Sequence, residues 1–158
     1  MVNIPIRLLN LNDSGFHLLV EVVVFNRPFV AVLDTGASHT VFDKETVEQY
    51  LSEDIQLLDT DLKSTGLGTN TMQSFSLVVP DLQIGAAPDQ SLHLKNYGVA
   101  VLDLSSINYA YRQLDLQPVI GVIGGDILTA YGGIINYRKL KLSLRERKYR
   151  FKAGQSAS

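Results

Sequence analysis

Apolar residues in this chain come in short runs, alternating or continuous, and each run is closed by Gly, Pro, Asn or Asp. Strands joined by turns satisfy that pattern, whereas long amphipathic helices do not, so the chain reads as mainly β. IPIRLL near the start, FHLLVEVVVF at 16–25 and FVAVL at 29–33 predict strands, the last two forming a hairpin through a turn at Asn26-Arg27-Pro28. The third run ends abruptly in the polar turn Asp34-Thr35-Gly36-Ala37-Ser38, after which HTVF returns as a short strand. Residues 62–84 predict a long hairpin centred on the glycine-containing stretch 66–71. GAAPDQSLHLKNYG predicts a loop and VAVLDL at 99–104 a strand. VIGVIGGDIL at 119–128 combines a buried strand, a double glycine and a short helix, and GGIINYRKLKLSLRERKYRF closes the chain as a hairpin turning near Arg138-Lys139.

Helices are few and short. Asp43 can cap KETVEQYLS, in which Val47 and Leu51 share a face. A second helix begins at Asp103 or Ser105 and runs to about Leu114, with Leu104, Ile107, Tyr111 and Leu114 along one stripe. The 158 residues leave room for one domain, expected over 1–152, with 153–158 as a disordered tail.

Several function classes fall away on composition. No apolar run is long enough to span a membrane, and no signal-peptide pattern opens the chain, so a cytoplasmic location is the default expectation. With no Cys there is no disulfide scaffold, thiol nucleophile or thiolate zinc site, and His17, His39 and His93 lack the spacing of a metal cage. No metal and no cofactor are expected. Gly66-Leu67-Gly68 lacks the third glycine of a dinucleotide fingerprint, no Gly-Lys-Ser/Thr follows for a phosphate loop, and no Gly-x-Ser-x-Gly elbow occurs for a serine nucleophile.

Charge is unevenly placed. Residues 138–152 hold eight of the 14 basic side chains against Glu146 alone, while residues 1–137 carry six basic and 15 acidic ones. Leu140, Leu142 and Leu144 alternate through the basic stretch, which reads as a strand with one solvated face rather than a nucleic-acid surface. Tyr109, Tyr111, Tyr131 and Tyr137 read as core and interface anchors.

Chemistry concentrates at Asp34. A carboxylate at the end of a buried strand, beside the Thr35 and Ser38 hydroxyls and the backbone around Gly36, is placed for acid/base work. Hydrolysis of an amide by activated water needs a base for the water and an acid for the carbonyl oxygen, so one Asp is half of a site. Asp126, after Gly124-Gly125, reads instead as a helix cap with no partner around it.

FVAVLDTGASHTVF resembles the strand and catalytic loop of the retropepsin-like aspartic proteases. LKSTGLGTNTMQ resembles their flap, VIGVIGGDIL the strand and short helix beneath the catalytic loop, and IINYRKLKLSL the closing hairpin, so the likeness spans roughly residues 16–148 in order. It implies a closed β-barrel with a flap hairpin and one to three short helices. It implies Asp34 as the catalytic acid/base, Thr35 as the hydroxyl locking two loops together, Gly36 as a close backbone approach and Ser38 as the partner of the outer carboxylate oxygen. Gly66 and Gly68 would give the flap its hinge or tip flexibility, and Gly66, Leu67, Gly68 and Ala37 would border an extended peptide substrate. The sharing of one proton between two nearby carboxylates is the family's own logic.

Only one Asp-Thr-Gly is present. Asp59-Thr60 is followed by Asp61, and Ser64-Thr65-Gly66 has a hydroxyl where the carboxylate belongs, so the economical reading is a two-fold homodimer. The leading functional expectation is therefore a homodimeric aspartic endopeptidase. The alternative is a catalytically silent dimer of the same fold that binds peptide or serves assembly, and a basic nucleic-acid-binding edge ranks third.

Overall fold

The structure, a computed structural model, describes residues 1–59, 64–65, 71–72 and 74–154. The long opening strand β1 (Val2–Asn10) folds back on β2 (Phe16–Val24), which turns tightly into β3 (Arg27–Leu33). After the polar turn come β4 (Val41–Asp43) and the short helix α1 (Lys44–Glu48). The stretch β5 (Leu58–Asp59), β6 (Ser64–Thr65) and β7 (Thr71–Met72) leads into the long strands β8 (Phe75–Ile84) and β9 (Leu92–Leu102). Helix α2 (Ser105–Gln113), strand β10 (Gly121–Ile123), helix α3 (Gly125–Ala130) and the hairpin β11 (Ile134–Asn136) and β12 (Lys141–Leu144) complete the chain.

Six strands close into a barrel in the order β2, β3, β10, β4, β9, β8, with β8 returning to β2 through Val22 opposite Ile84 and Val24 opposite Leu82. Closure removes the free edges that a sheet of this length would otherwise expose. Beyond it, β1 lies against β2, and β12 and β11 follow on the outside. Strands β6 and β7 form a separate short ladder.

The strands that carry the polar turn are covered on both sides, which explains why their runs are continuous rather than alternating. Ala31 and Leu33 of β3 and Ile123 of β10 face the barrel interior with Val20, Val22, Phe42, Val79 and Val101. Val32, Val122 and Leu19 point outward and are buried beneath Tyr111 of α2, with Val119 and Leu11. Asn108, also on the buried side of α2, accepts from the Val119 N–H at 2.8 Å and donates to the Val119 carbonyl at 3.2 Å, fastening the helix to the segment before β10. Asp43 caps α1 as read, accepting from the Thr46 N–H at 3.2 Å, and its other oxygen accepts from the Leu104 N–H at 3.0 Å.

The structure differs from the sequence reading in four places. The first hairpin turns on Phe25 and Asn26, both at positive φ, so Arg27 and Pro28 already belong to β3; a two-residue loop with that geometry matches the twist of its strands. Much of GAAPDQSLHLKNYG is strand, because Leu92 and Leu94 are buried opposite Ile84 and Leu82, and the connection shrinks to residues 85–91. Helix α1 stops at Glu48, and Leu51 lies exposed beyond it while Val47 is buried. The final ladder ends at Leu144, and the basic residues 145–152 leave the sheet. The turn near Arg138-Lys139 stands between β11 and β12. Gly66, Leu67 and Gly68, and residues 155–158 of the expected tail, lie outside the described residues. Among the described residues no helix is long and apolar enough to cross a membrane.

Gly121 sits where β10 presses against β4, and a methyl group there would overlap the Val41 carbonyl. We expect Gly121→Ala to lower stability by about 1 to 3 kcal/mol through overpacking, read as a shift in the urea midpoint at unchanged slope.

Candidate active site

Asp34 lies one residue past the end of β3, exposed, on the loop that leads to β4. Strand β10 is inserted between β3 and β4, parallel to the first and antiparallel to the second, so the two strands flanking the loop do not touch each other directly. The Asp34 N–H continues the β3 to β10 ladder by donating to the Ile123 carbonyl at 3.0 Å. The chain then turns sharply. The Ala37 N–H donates to the Asp34 carbonyl at 3.2 Å, and the Gly36 N–H donates to the Asp34 carboxylate at 2.9 Å. A charge-assisted bond of that kind orients the carboxylate while leaving its other oxygen open to a reactant.

The far side of the loop is fixed from below. The Gly125 N–H donates to the Ala37 carbonyl at 2.7 Å, and the Gly124 N–H donates to the Thr40 hydroxyl oxygen at 3.1 Å. A Cβ on Gly124 would stand 2.6 Å from the His39 carbonyl oxygen and 2.8 Å from that of Ala37, so only glycine lets the start of α3 come so near. Thr40, at 0% exposure, donates its own proton to Asp126 Oδ1 at 2.8 Å. Asp126 Oδ2 accepts from the Tyr97 hydroxyl at 2.8 Å. One carboxylate thus joins the loop, α3 and β9. Burial, together with the hydrogen bond to Asp126 and its charge, pushes the Tyr97 phenol above its usual range.

A family model for aspartyl proteases matches residues 20–127, more than half of the chain and inclusive of the loop just described. The chain belongs to the aspartyl protease family. Among solved structures it is similar to a retropepsin-like aspartic protease from Rickettsia conorii, with 22% identity over 89% of this chain and 87% of that one and a TM-score of 0.51. It is also similar to the retroviral protease-like domain of Ddi1 from Leishmania major, with 16% identity over 84% of this chain and 90% of that one and a TM-score of 0.53. No curated protein matches it. The fold is retropepsin-like, mainly β and built on a closed six-stranded barrel with three short helices among the described residues.

Within this aspartyl protease fold, Asp34, Thr35, Gly36, Ala37 and Ser38 all stand on the one loop between β3 and β4. Thr35 and Ser38 are exposed and Ala37 is half-buried against the cluster under α2. The Asp34 carboxylate takes its loop bond from Gly36, and Ser38 makes no hydrogen bond to it in the single chain. Asp126 is corrected in its role. Gly124 occupies the cap position of α3 and Asp126 lies inside the helix, where it has two partners, Thr40 and Tyr97, that sequence distance conceals. A hydroxyl embedded in the apolar return HTVF was the one available signal for Thr40; nothing local marked Tyr97. His39 is exposed beside the loop, and His17 is held on β2 by the Tyr111 hydroxyl at 2.8 Å.

Two outcomes follow from the network. Thr40→Val strips partners from the buried Gly124 N–H and from the half-buried Asp126 Oδ1, and we expect about 1 to 3 kcal/mol of lost stability by chemical denaturation. Because the folded chain holds the Tyr97 proton more tightly than the unfolded chain, stability is full below the ordinary tyrosine value of 10.0 and declines as pH rises through it. Thermal melts in alkaline buffers should therefore decline more steeply with pH for the wild type than for Tyr97→Phe.

Proposed function

We propose that the chain is an aspartic endopeptidase that acts as a homodimer, Asp34 of each copy forming the catalytic pair, within a single domain spanning residues 1–152. The observation that carries the reading is the exposed Asp34 carboxylate at the end of a doubly buried strand, oriented by the Gly36 N–H at 2.9 Å, with one such loop per chain. An isologous two-fold contact at that loop brings the two carboxylates together by symmetry.

With one proton shared between them, the ionised member takes a proton from the attacking water while the protonated member donates to the carbonyl oxygen of the peptide. The developing oxyanion is then met by a donor already in place. Thr35, beside the carboxylate and exposed, is available to hold the two loops together across the axis. Ser38, on the same loop, would engage the outer carboxylate oxygen once the site is complete. The β6 and β7 ladder begins the hairpin that would act as flap, with Gly66, Leu67 and Gly68 covering an extended peptide and Ala37 bordering it.

A casein or peptide-library digest at acidic and neutral pH tests the reading. The wild type should cleave, and Asp34→Asn should reduce cleavage by about a hundredfold or more while leaving circular dichroism and native mass unchanged. Peptide binding without turnover, indifferent to Asp34→Asn, would instead identify a silent binding module.

A further inference from the structure

We infer that Tyr97, on β9 and outside the loop that carries Asp34, is a positioning residue for peptide hydrolysis, acting through Asp126 and Thr40 to hold that loop at its working geometry. The inference rests on the endopeptidase reading and adds to it a residue that acts on the carboxylate only through others.

The backbone of β9 prepares Tyr97 for this contact. Its buried positions are Leu92 and Leu94 before Asn96 and Val99 and Val101 after it, so the alternation changes phase at that residue. Asn96 stands at the change with a φ of 48°, a conformation that Asn tolerates better than most residues bearing a side chain. Tyr97 is the first residue past it and packs half-buried against the core. That packing serves the ring, while the hydroxyl has Asp126 Oδ2 as its partner among the described residues, at 2.8 Å. Because burial pushes the phenol above its usual range, this donor keeps its proton at acidic and neutral pH.

Asp126 is half-buried and borders an open cavity of about 950 Å³ beside residues 35–39, so water competes for its carboxylate. The Tyr97 bond to Oδ2 holds the group turned inward, where Oδ1 receives the Thr40 proton at 2.8 Å. With that proton committed, the Thr40 oxygen is left to accept from the Gly124 N–H at 3.1 Å, next to the Gly125 N–H that holds the Ala37 carbonyl at 2.7 Å. Strand β9 thus grips Thr40 twice, through Tyr97 and Asp126 at the hydroxyl and through the Ala100 N–H at the carbonyl, 3.1 Å away. Removing the first donor frees the carboxylate to turn to water and releases Thr40 from one of these holds. A small displacement of a reacting group slows the chemical step far more than it weakens a substrate bound along its length.

Steady-state kinetics on the full chain, with a fluorogenic peptide whose sequence comes from the library digest, test the inference together with amide hydrogen exchange by NMR. The variants are Tyr97→Phe, Thr40→Val, Thr40→Ser and the double Tyr97→Phe/Thr40→Val, with Tyr109→Phe as control because Tyr109 is 63% exposed on α2. We expect kcat to fall by about tenfold or more in Tyr97→Phe and Thr40→Val with KM within about twofold, and the double variant to be no slower than the slower single one. Thr40→Ser should stay near wild type, and the Gly124 amide should exchange about tenfold faster in Tyr97→Phe. Circular dichroism monitors the fold, and Tyr97→Phe with its exchange measurement decides the matter even where Thr40→Val is too unstable to assay. Wild-type kcat or unchanged Gly124 exchange in Tyr97→Phe overturns the inference. So do a loss confined to KM, losses that multiply in the double variant, a Thr40→Ser as slow as Thr40→Val, or an equal loss in Tyr109→Phe. In each of these cases a cleaving wild type leaves the Asp34 pair standing, whereas a wild type that cleaves no peptide overturns both readings.

Discussion

The insertion of β10 between β3 and β4 is the constraint on which the rest of the molecule depends. Neighbouring strands run about 4.8 Å apart, and at that spacing a side chain pointing along the sheet has no space. Gly121 meets the Val41 backbone and Gly124 meets the carbonyls of Ala37 and His39, so both contacts are backbone against backbone. Through them the Ile123 carbonyl receives the Asp34 N–H, which holds the end of β3 against β10. An exposed carboxylate is thereby mounted on a strand buried on both faces. Reactive groups on loops gain precision in this way from the rigid elements beneath them.

The polar bonds around Asp126 complete that mounting. At the edge of a largely apolar core, the Thr40, Asp126 and Tyr97 side chains satisfy one another and the Gly124 N–H. A low-dielectric surrounding strengthens such bonds and makes the loss of any one member costly. The network also links the loop after β3 to β9, the strand that pairs with β8. Helix α2 braces the loop from outside, since Ala37 packs in the cluster centred on Tyr111, Val32 and Val122.

A single copy supplies one such carboxylate, and acid/base hydrolysis through a water needs two proton-transfer partners. On our reading association and chemistry are one property, and the face that carries Asp34 is also the face that must be covered.

What the linear order of residues determined by itself was local. The short punctuated apolar runs dictated strands, because only a strand buries so few residues at a time; Asp43 marked its helix through a bond three residues away; and Asp34-Thr35-Gly36 marked the loop. Leu92 and Leu94 were harder to place, because their burial depends on Leu82 and Ile84 across the hairpin. Only the tertiary structure could decide what joins residues far apart in the chain: Gly121 beside Val41, Thr40 and Tyr97 on Asp126, and Tyr149 tied back to Ala130. A hydrogen bond or a packing contact acts over a few ångströms of space, and its sequence separation leaves no periodic trace in either partner.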